Sequence, residues 1–471
     1  MASSDNKEIA FLNANIRPFA DGRTASAVLI RGGAVAVTGS DEEILRECGS
    51  GAEKVDLHGK TVLPGFYDSH IHLMETSKIM DETWLGDVRS IDELVETGRR
   101  DAAERQSGKE WILGRGWNQE NFPGKVYPTR YDLDKISTDR PILYQRCCGI
   151  VGVLNSKALE IAGIDENFSI PGGIVDKDEN GKVTGVVRRE ALDGWVKKLL
   201  PKITQERARF LLKRMTEFCA AAGMTSAQSD DLIMVLNDVA FLDEAYSALA
   251  ASGELSLRVG QQYLLRNMGM LRPFVESGRR TGDGGATFYT GPLKIIADGS
   301  LGSRTAALLS DYNDAPGTRG LYVHSDEELT EMMTFAHMND LQMAIHSIGD
   351  AATSKVLGII EGLQSKYGNP WRHRIVHCQI GNFGLYDKMA ALGVNADVQA
   401  PFVASEWSWV GDRVGAEVEK TELRVEVSAR QRHRARRQQR FSGRALRSAL
   451  GRAGSRHETG QARTPGGRMA A

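Results

Sequence analysis

Apolar and polar positions change rhythm along this chain. Over residues 8–62 the runs IAFLNANI, AVLIRGGAVAVTG and TVLPG are short and broken by glycine, which predicts a small β-unit, here with one helix at Asp41–Cys48. From Thr61 onward, strand-like runs alternate with longer runs of helical period. The strand-like runs are WILGRGWN (111–118), PILYQRCC (141–148), LSLRVGQQYLL (255–265), GPLKIIADG (291–299), LQMAIHSIGD (341–350), RIVHCQI (374–380) and VNADVQA (394–400). Between them lie amphipathic stretches such as ITQERARFLLKRMTEFCAAAG and AATSKVLGIIEGLQSKYG. Sustained strand–helix alternation predicts an α/β protein, a parallel (β/α)8 barrel of the TIM type, with the N-terminal unit as a small β-sandwich subdomain. A doubly wound dinucleotide fold fits less well, because no G-x-G-x-x-G joins a strand to a helix. Residues 165–190 are rich in turn formers, and Asn180-Gly181 predicts a hairpin insert there.

The pattern breaks near the end. Residues 416–471 carry 13 Arg and one Lys against five Glu, a net of +9, although the whole chain of 471 residues has a formal charge of −2. The first 415 residues therefore carry −11 and form a mildly acidic body. After Val427 almost no apolar content remains, so this stretch predicts no buried eighth strand. The domain reading is thus 1–61 for the small unit, 62–417 for the barrel and 418–471 for a basic, disordered tail. A nucleic-acid arm, a disordered extension and out-of-frame translation all yield such a composition. The abrupt change within an unfinished barrel favours the out-of-frame reading, since an arm extends a finished domain and does not replace its last quarter. The polar start MASSDNKEIA and the lack of a long apolar run predict neither a signal peptide nor a membrane span. Five cysteines without disulfide or zinc-ribbon spacing point to a reducing cytoplasm.

Chemistry concentrates in a few polar residues at strand ends. In VLPGFYDSHIHL, His70 and His72 lie two apart, so in a strand they share one face with Asp68. Paired imidazoles among apolar neighbours are the usual ligands of a divalent metal. His346 ends QMAIH and His377 ends RIVH, while Lys294 interrupts the apolar run GPLKIIADG. A lone histidine at a strand end is more often a hydrogen-bonded core residue. Four at the ends of three strands converge in a parallel barrel, where the C-terminal strand ends meet. Lys294 either snorkels to the surface or is a carbamylated lysine bridging two metals. Asp350 reads as a helix N-cap, and Asp298 and Arg304, in ADGSLGSRTA, either contact substrate or shape their loop.

LPGFYDSHIHL, GWNQENFP, LNSKALEIAGI, KIIADGSLGSRTAAL, AIHSIGDAA, RIVHCQI and DVQAPF, in this order, resemble the amidohydrolase superfamily in its YtcJ-like branch, over about residues 8–415. The resemblance implies a metal-dependent barrel hydrolysing an amide or other non-peptide C–N bond with metal-activated water. It implies one or two divalent ions, Zn by expectation, held by His70, His72, His346 and His377, with Lys294 bridging and Glu190 as the rival acidic ligand. The expected partner is a small-molecule substrate, with no nucleic acid or membrane, and the oligomeric state is left open, a homodimer among the alternatives. Two departures stand out: Ile150 replaces a histidine usual in that pattern, and the acid–base Asp of the last strand is not found. The second predicts very low hydrolytic rates and raises the alternative of an inactive binding or regulatory protein on the same scaffold.

Overall fold

A computed structural model describes residues 7–17, 24–106, 108–399, 402, 406 and 409–419. Seven strands form one sheet: β1 (Phe66–Ile71), β2 (Met224–Ser229), β3 (Arg258–Leu264), β4 (Phe288–Ile296), β5 (Met343–Ser347), β6 (Arg374–His377) and β7 (Asn395–Val398). They neighbour one another in that order. The pairs from β2 to β7 are parallel, as helical crossovers require. Crossover helices include Val239–Ser252, Met268–Glu276, Asp326–Met338, Asp350–Tyr367 and Phe383–Ala391. This is a TIM-type α/β fold, seven strands of which lie among the described residues.

The strands are apolar because both faces are covered: Met343, Ala344 and Ile345 on β5 and Ile375 and Val376 on β6 are all buried. The helices start where the sequence offers caps. Ser325 and Glu328 form a capping box, and Asp238, Asn267 and Asn382 each accept a backbone N–H at a helix start. Asp350 falls one position past its expected place. Gly349 is the cap residue, and Asp350 instead accepts the Leu309 N–H at 2.9 Å.

Two expectations about the strands are corrected. The runs at 111–118 and 141–148 do not join the barrel sheet. They form strands Ile112–Trp117 and Ile142–Arg146 of a separate six-stranded sheet. That sheet also contains Thr83–Trp84, Val151–Leu154 and the hairpin Gly173–Lys177/Val183–Arg189. Its antiparallel half, where Ile142–Arg146 pairs with Val151–Leu154, comes from short connections that leave no room for a crossover helix. It has its own core around Trp117, Tyr144 and Val153. The hairpin insert forms as expected, with Gly181 at φ 76 in its turn. In the barrel, β2 was not anticipated. Its sequence, MTSAQS, is mostly polar and lacks the apolar signature of a buried strand.

The chain divides into two compact units, Met1–Tyr67 and the residues from Asp68. In the first, strands Glu8–Leu12, Ala27–Arg31, Ala34–Gly39 and Glu53–Asp56 make a four-stranded sheet. Helix Asp41–Glu47 inserts Ile44 against Ala10, Ala27 and Leu29, and Asn15–Ile16 pairs separately with Thr61–Val62. Near the end of the second unit, Val410 packs with Leu301, Tyr312 and Ile380. Of the basic tail, read as residues 418–471, positions 418 and 419 end the helix Val410–Glu419, and residues 420–471 lie outside the described residues, as does the expected absence of an eighth strand there. Among the described residues, no helix is long and apolar enough to cross a membrane.

Candidate metal centre

β1 carries His70 at its end and hands His72 to the start of helix Leu73–Ile79. β5 and β6 bring His346 and His377 to the same end of the sheet, where their ring centroids are 4.5 Å apart. His70 lies 5.1 Å from His72 and 5.6 Å from His377 by the same measure. Lys294 on β4 is 2% exposed, and its Nζ sits 3.0 Å from His70 Nε2. The four histidines and the lysine expected as ligands are therefore one cluster. Glu190 is exposed and follows strand Val183–Arg189 of the other sheet.

One residue joins the cluster unanticipated. Asp230, just past β2, brings a carboxylate within 4.8 Å of ligand atoms of His70 and His72. Its Oδ1 is buried and has no hydrogen-bond partner among the described residues. A buried carboxylate oxygen left unpaired is costly unless a cation takes it. The only signal for Asp230 was an Asp following a strand, and β2 itself was illegible.

Hydrogen bonds decide which ring nitrogens are available. A carbonyl oxygen only accepts, so the ring nitrogen facing it carries the proton. His72 Nδ1 meets the Asp230 carbonyl at 2.5 Å, which leaves the lone pair on Nε2. His346 Nε2 meets the Gly299 carbonyl at 2.9 Å, which leaves the lone pair on Nδ1. The Nδ1 atoms of His70 and His377 instead meet the side-chain amides of Gln262, at 2.8 Å, and Gln399. At the end of β6, His377 has φ 76 and Cys378 φ 46. Two successive non-glycine residues in the left-handed region mark local strain of the kind that gathers at functional sites.

Electrostatics keeps His346 and His377 neutral. Burial lowers the pKa of His346 to about 4, helped by the positive charge of Lys294. Burial, then His346 and Lys294, hold His377 well below its usual range. Burial lowers Lys294 to about 8 and raises Asp230. Two neutral imidazoles, a carboxylate oxygen left unpaired and an amine easily deprotonated fit a divalent metal, whose ligands must be free of protons.

The two loop residues are engaged with protein. Asp298 is fully buried, and its carboxylate accepts the N–H groups of Ala307, Ile348 and Gly349 at 2.8–3.0 Å. Those bonds tie the loop after β4 to the end of β5 beside His346. Burial raises the pKa of Asp298 to about 6 in spite of them. Arg304 donates to both oxygens of Asp314, from Nε at 3.1 Å and Nη2 at 2.8 Å.

Known proteins share this architecture. "Putative amidohydrolase YtcJ" of Bacillus subtilis (strain 168) is 35% identical over 405 residues, 85% of this chain and 74% of that protein. The N-substituted formamide deformylase of Arthrobacter pascens is 25% identical over 417 residues, 86% of this chain and 74% of its own. The crystal structure of an uncharacterized metal-dependent hydrolase from Pyrococcus furiosus superposes with a TM-score of 0.73 at 28% identity, covering 90% of this chain and 83% of that one. The model of the amidohydrolase family matches residues 53–425, well over half of the sequence. On that extent of agreement, this chain belongs to the amidohydrolase family.

Proposed function

We propose that this protein is a metal-dependent hydrolase that cleaves an amide or other non-peptide C–N bond in a small molecule. The observation that carries the proposal is the cluster of His70, His72, His346, His377 and Asp230 around Lys294 Nζ. His70, His72 and Asp230 would hold one ion, and His346, His377 and Lys294 would be available to a second, with Zn as the expected metal. A divalent ion bound there would supply a water of lowered pKa and polarise the scissile carbonyl.

The chain's own residues do the rest. His346 and His377 are free of the second proton at neutral pH because burial disfavours their charged form. Lys294, with its depressed pKa, would offer an uncharged amine that can add carbon dioxide, losing a proton to solvent, and so supply a carbamate oxygen to a bound metal. Asp298 fixes the loop that carries the carbonyl oriented on His346. Phe402, its ring 6.0 Å from that of His377, offers an apolar wall that excludes water. The deformylase named above acts on N-substituted formamides, so N-formyl amines are the first substrates to try.

The test is an amine-release assay on N-formyl and N-acyl amines, with the full chain stripped of metal and reconstituted with Zn²⁺. Slow turnover, in line with the missing acid–base Asp, that disappears with chelator and returns with metal is the expected result. A protein that binds metal stoichiometrically and hydrolyses no amide would overturn the enzymatic reading in favour of a binding role.

A further inference from the structure

The two glutamines beside the histidines are not ordinary core residues. Gln262 and Gln399 are both buried, at 0% and 6% exposure, and each aims its side-chain oxygen at an imidazole Nδ1. An amide can face a neighbour with oxygen or nitrogen, so its orientation must come from its other contacts. For Gln262 they are decisive. Its Nε2 lies 2.8 Å from the Ser69 carbonyl, which can only accept. The NH2 group must therefore face Ser69, and Oε1 must face His70. Oε1 in turn only accepts, so His70 carries its proton on Nδ1 and presents the Nε2 lone pair. The Lys294 amine, a donor 3.0 Å from Nε2, independently agrees.

This orientation is braced from below. The Ser69 carbonyl also accepts from Arg374 Nη1 at 3.3 Å, and Arg374 Nη2 donates to Gln228 Oε1. Arg374 is itself held by Asp397, 3.0 Å away. Ser69, Gln228, Gln262, Arg374 and Asp397 are all buried and come from β1, β2, β3, β6 and β7. A polar chain through five strands has no packing purpose that apolar side chains would not serve better, since each buried member must be satisfied. It ends on His70. Gln399 places the same kind of acceptor behind His377.

We propose that Gln262 and Gln399 are positioning residues that hold His70 and His377 as the Nδ1-protonated tautomer and so aim Nε2 of each at the cation. A neutral amide does this without the extra negative charge that a carboxylate acceptor would add, so the histidines are oriented without weakening the electrophilicity of the metal. The proposal rests on the metal-dependent reading of this site, and the test separates the two.

The full chain, labelled with ¹⁵N-histidine and stripped of metal, is examined by long-range ¹H–¹⁵N correlation, with Zn²⁺ affinity measured by competition with a chromogenic chelator. His70 and His377 are expected to show the Nδ1–H pattern in the unsubstituted protein. Gln262→Leu and Gln399→Leu should each release their histidine to a mixture of tautomers and weaken Zn²⁺ binding by about 10–100-fold. Gln262→Glu and Gln399→Glu, which keep the acceptor, should restore both the tautomer and the affinity. If a leucine variant does not fold, the glutamate variants and the unsubstituted spectra still decide. An Nε2–H pattern in the unsubstituted protein, leucine variants that keep tautomer and affinity, or glutamate variants as weak as folded leucine variants would each overturn the proposal. A chain that binds no Zn²⁺ yet shows both Nδ1–H tautomers would instead refute the metal-dependent reading alone.

Discussion

Arg374 Nη1 lies 3.0 Å from Asp397 Oδ2 inside the barrel, with the two side chains 6% and 4% exposed. Burial raises the Asp397 pKa while Arg374 opposes that rise. Each charge is tolerable only because the other is there. Asp397→Asn should therefore leave an uncompensated guanidinium and destabilise the protein by about 3–5 kcal/mol in urea unfolding. Replacing both, as in Arg374→Met with Asp397→Leu, should recover much of that loss. A double variant that loses the sum of the two single-variant losses would show that the pair is not coupled.

Metal content should follow the histidines. His70→Ala removes a ring that touches Lys294 and lies beside His72 and His377. Elemental analysis should find at least one equivalent of metal lost. Full metal content in the protein lacking both His70 and His72 would end their assignment as ligands.

Lys294 should behave as a modified residue in the loaded protein. Supplying ¹³C-bicarbonate with Zn²⁺ should produce a carbamate carbon signal that Lys294→Met abolishes. The buried amine with its pKa near 8 makes the uncharged form accessible at neutral pH. An unchanged spectrum in Lys294→Met, with metal content intact, would leave the lysine as an ordinary buried amine.

A second histidine pair sets a pH dependence of stability. His337 Nδ1 and His373 Nε2 are 3.0 Å apart, and His373 Nδ1 accepts the Met343 N–H at 3.1 Å. Burial lowers both pKa values, that of His373 to about 3 from 6.5. Between those values the unfolded chain binds the proton and the folded chain does not, so stability falls as pH drops through that window. Urea unfolding should show less stability at pH 5 than at pH 7, with a slope up to about 1.4 kcal/mol per pH unit from this group. His373→Gln, which keeps an acceptor for Met343, should flatten that slope. An unchanged slope would place the acid sensitivity elsewhere.

What was legible in the amino-acid sequence was what short-range periodicity determines. Alternation in VLPGFYDSHIHL puts His70 and His72 on one face, and apolar runs ending in His346 and His377 mark strand ends. Asn180-Gly181 marks its turn because few other residues accept that backbone. These are properties of a few consecutive residues. Which sheet a strand joins depends instead on partners far away in the chain. Ile112–Trp117 and Ile142–Arg146 look like barrel strands by composition, yet pair with each other in the sheet that also holds the hairpin ending at Arg189. Met224–Ser229 does not look buried, yet lies between β1 and β3, because Gln228 finds Arg374, 146 residues away. Asp230, Gln262 and Gln399 escaped notice for the same reason. A buried polar side chain is stable only where distant groups satisfy it, and only the tertiary structure decides which groups those are.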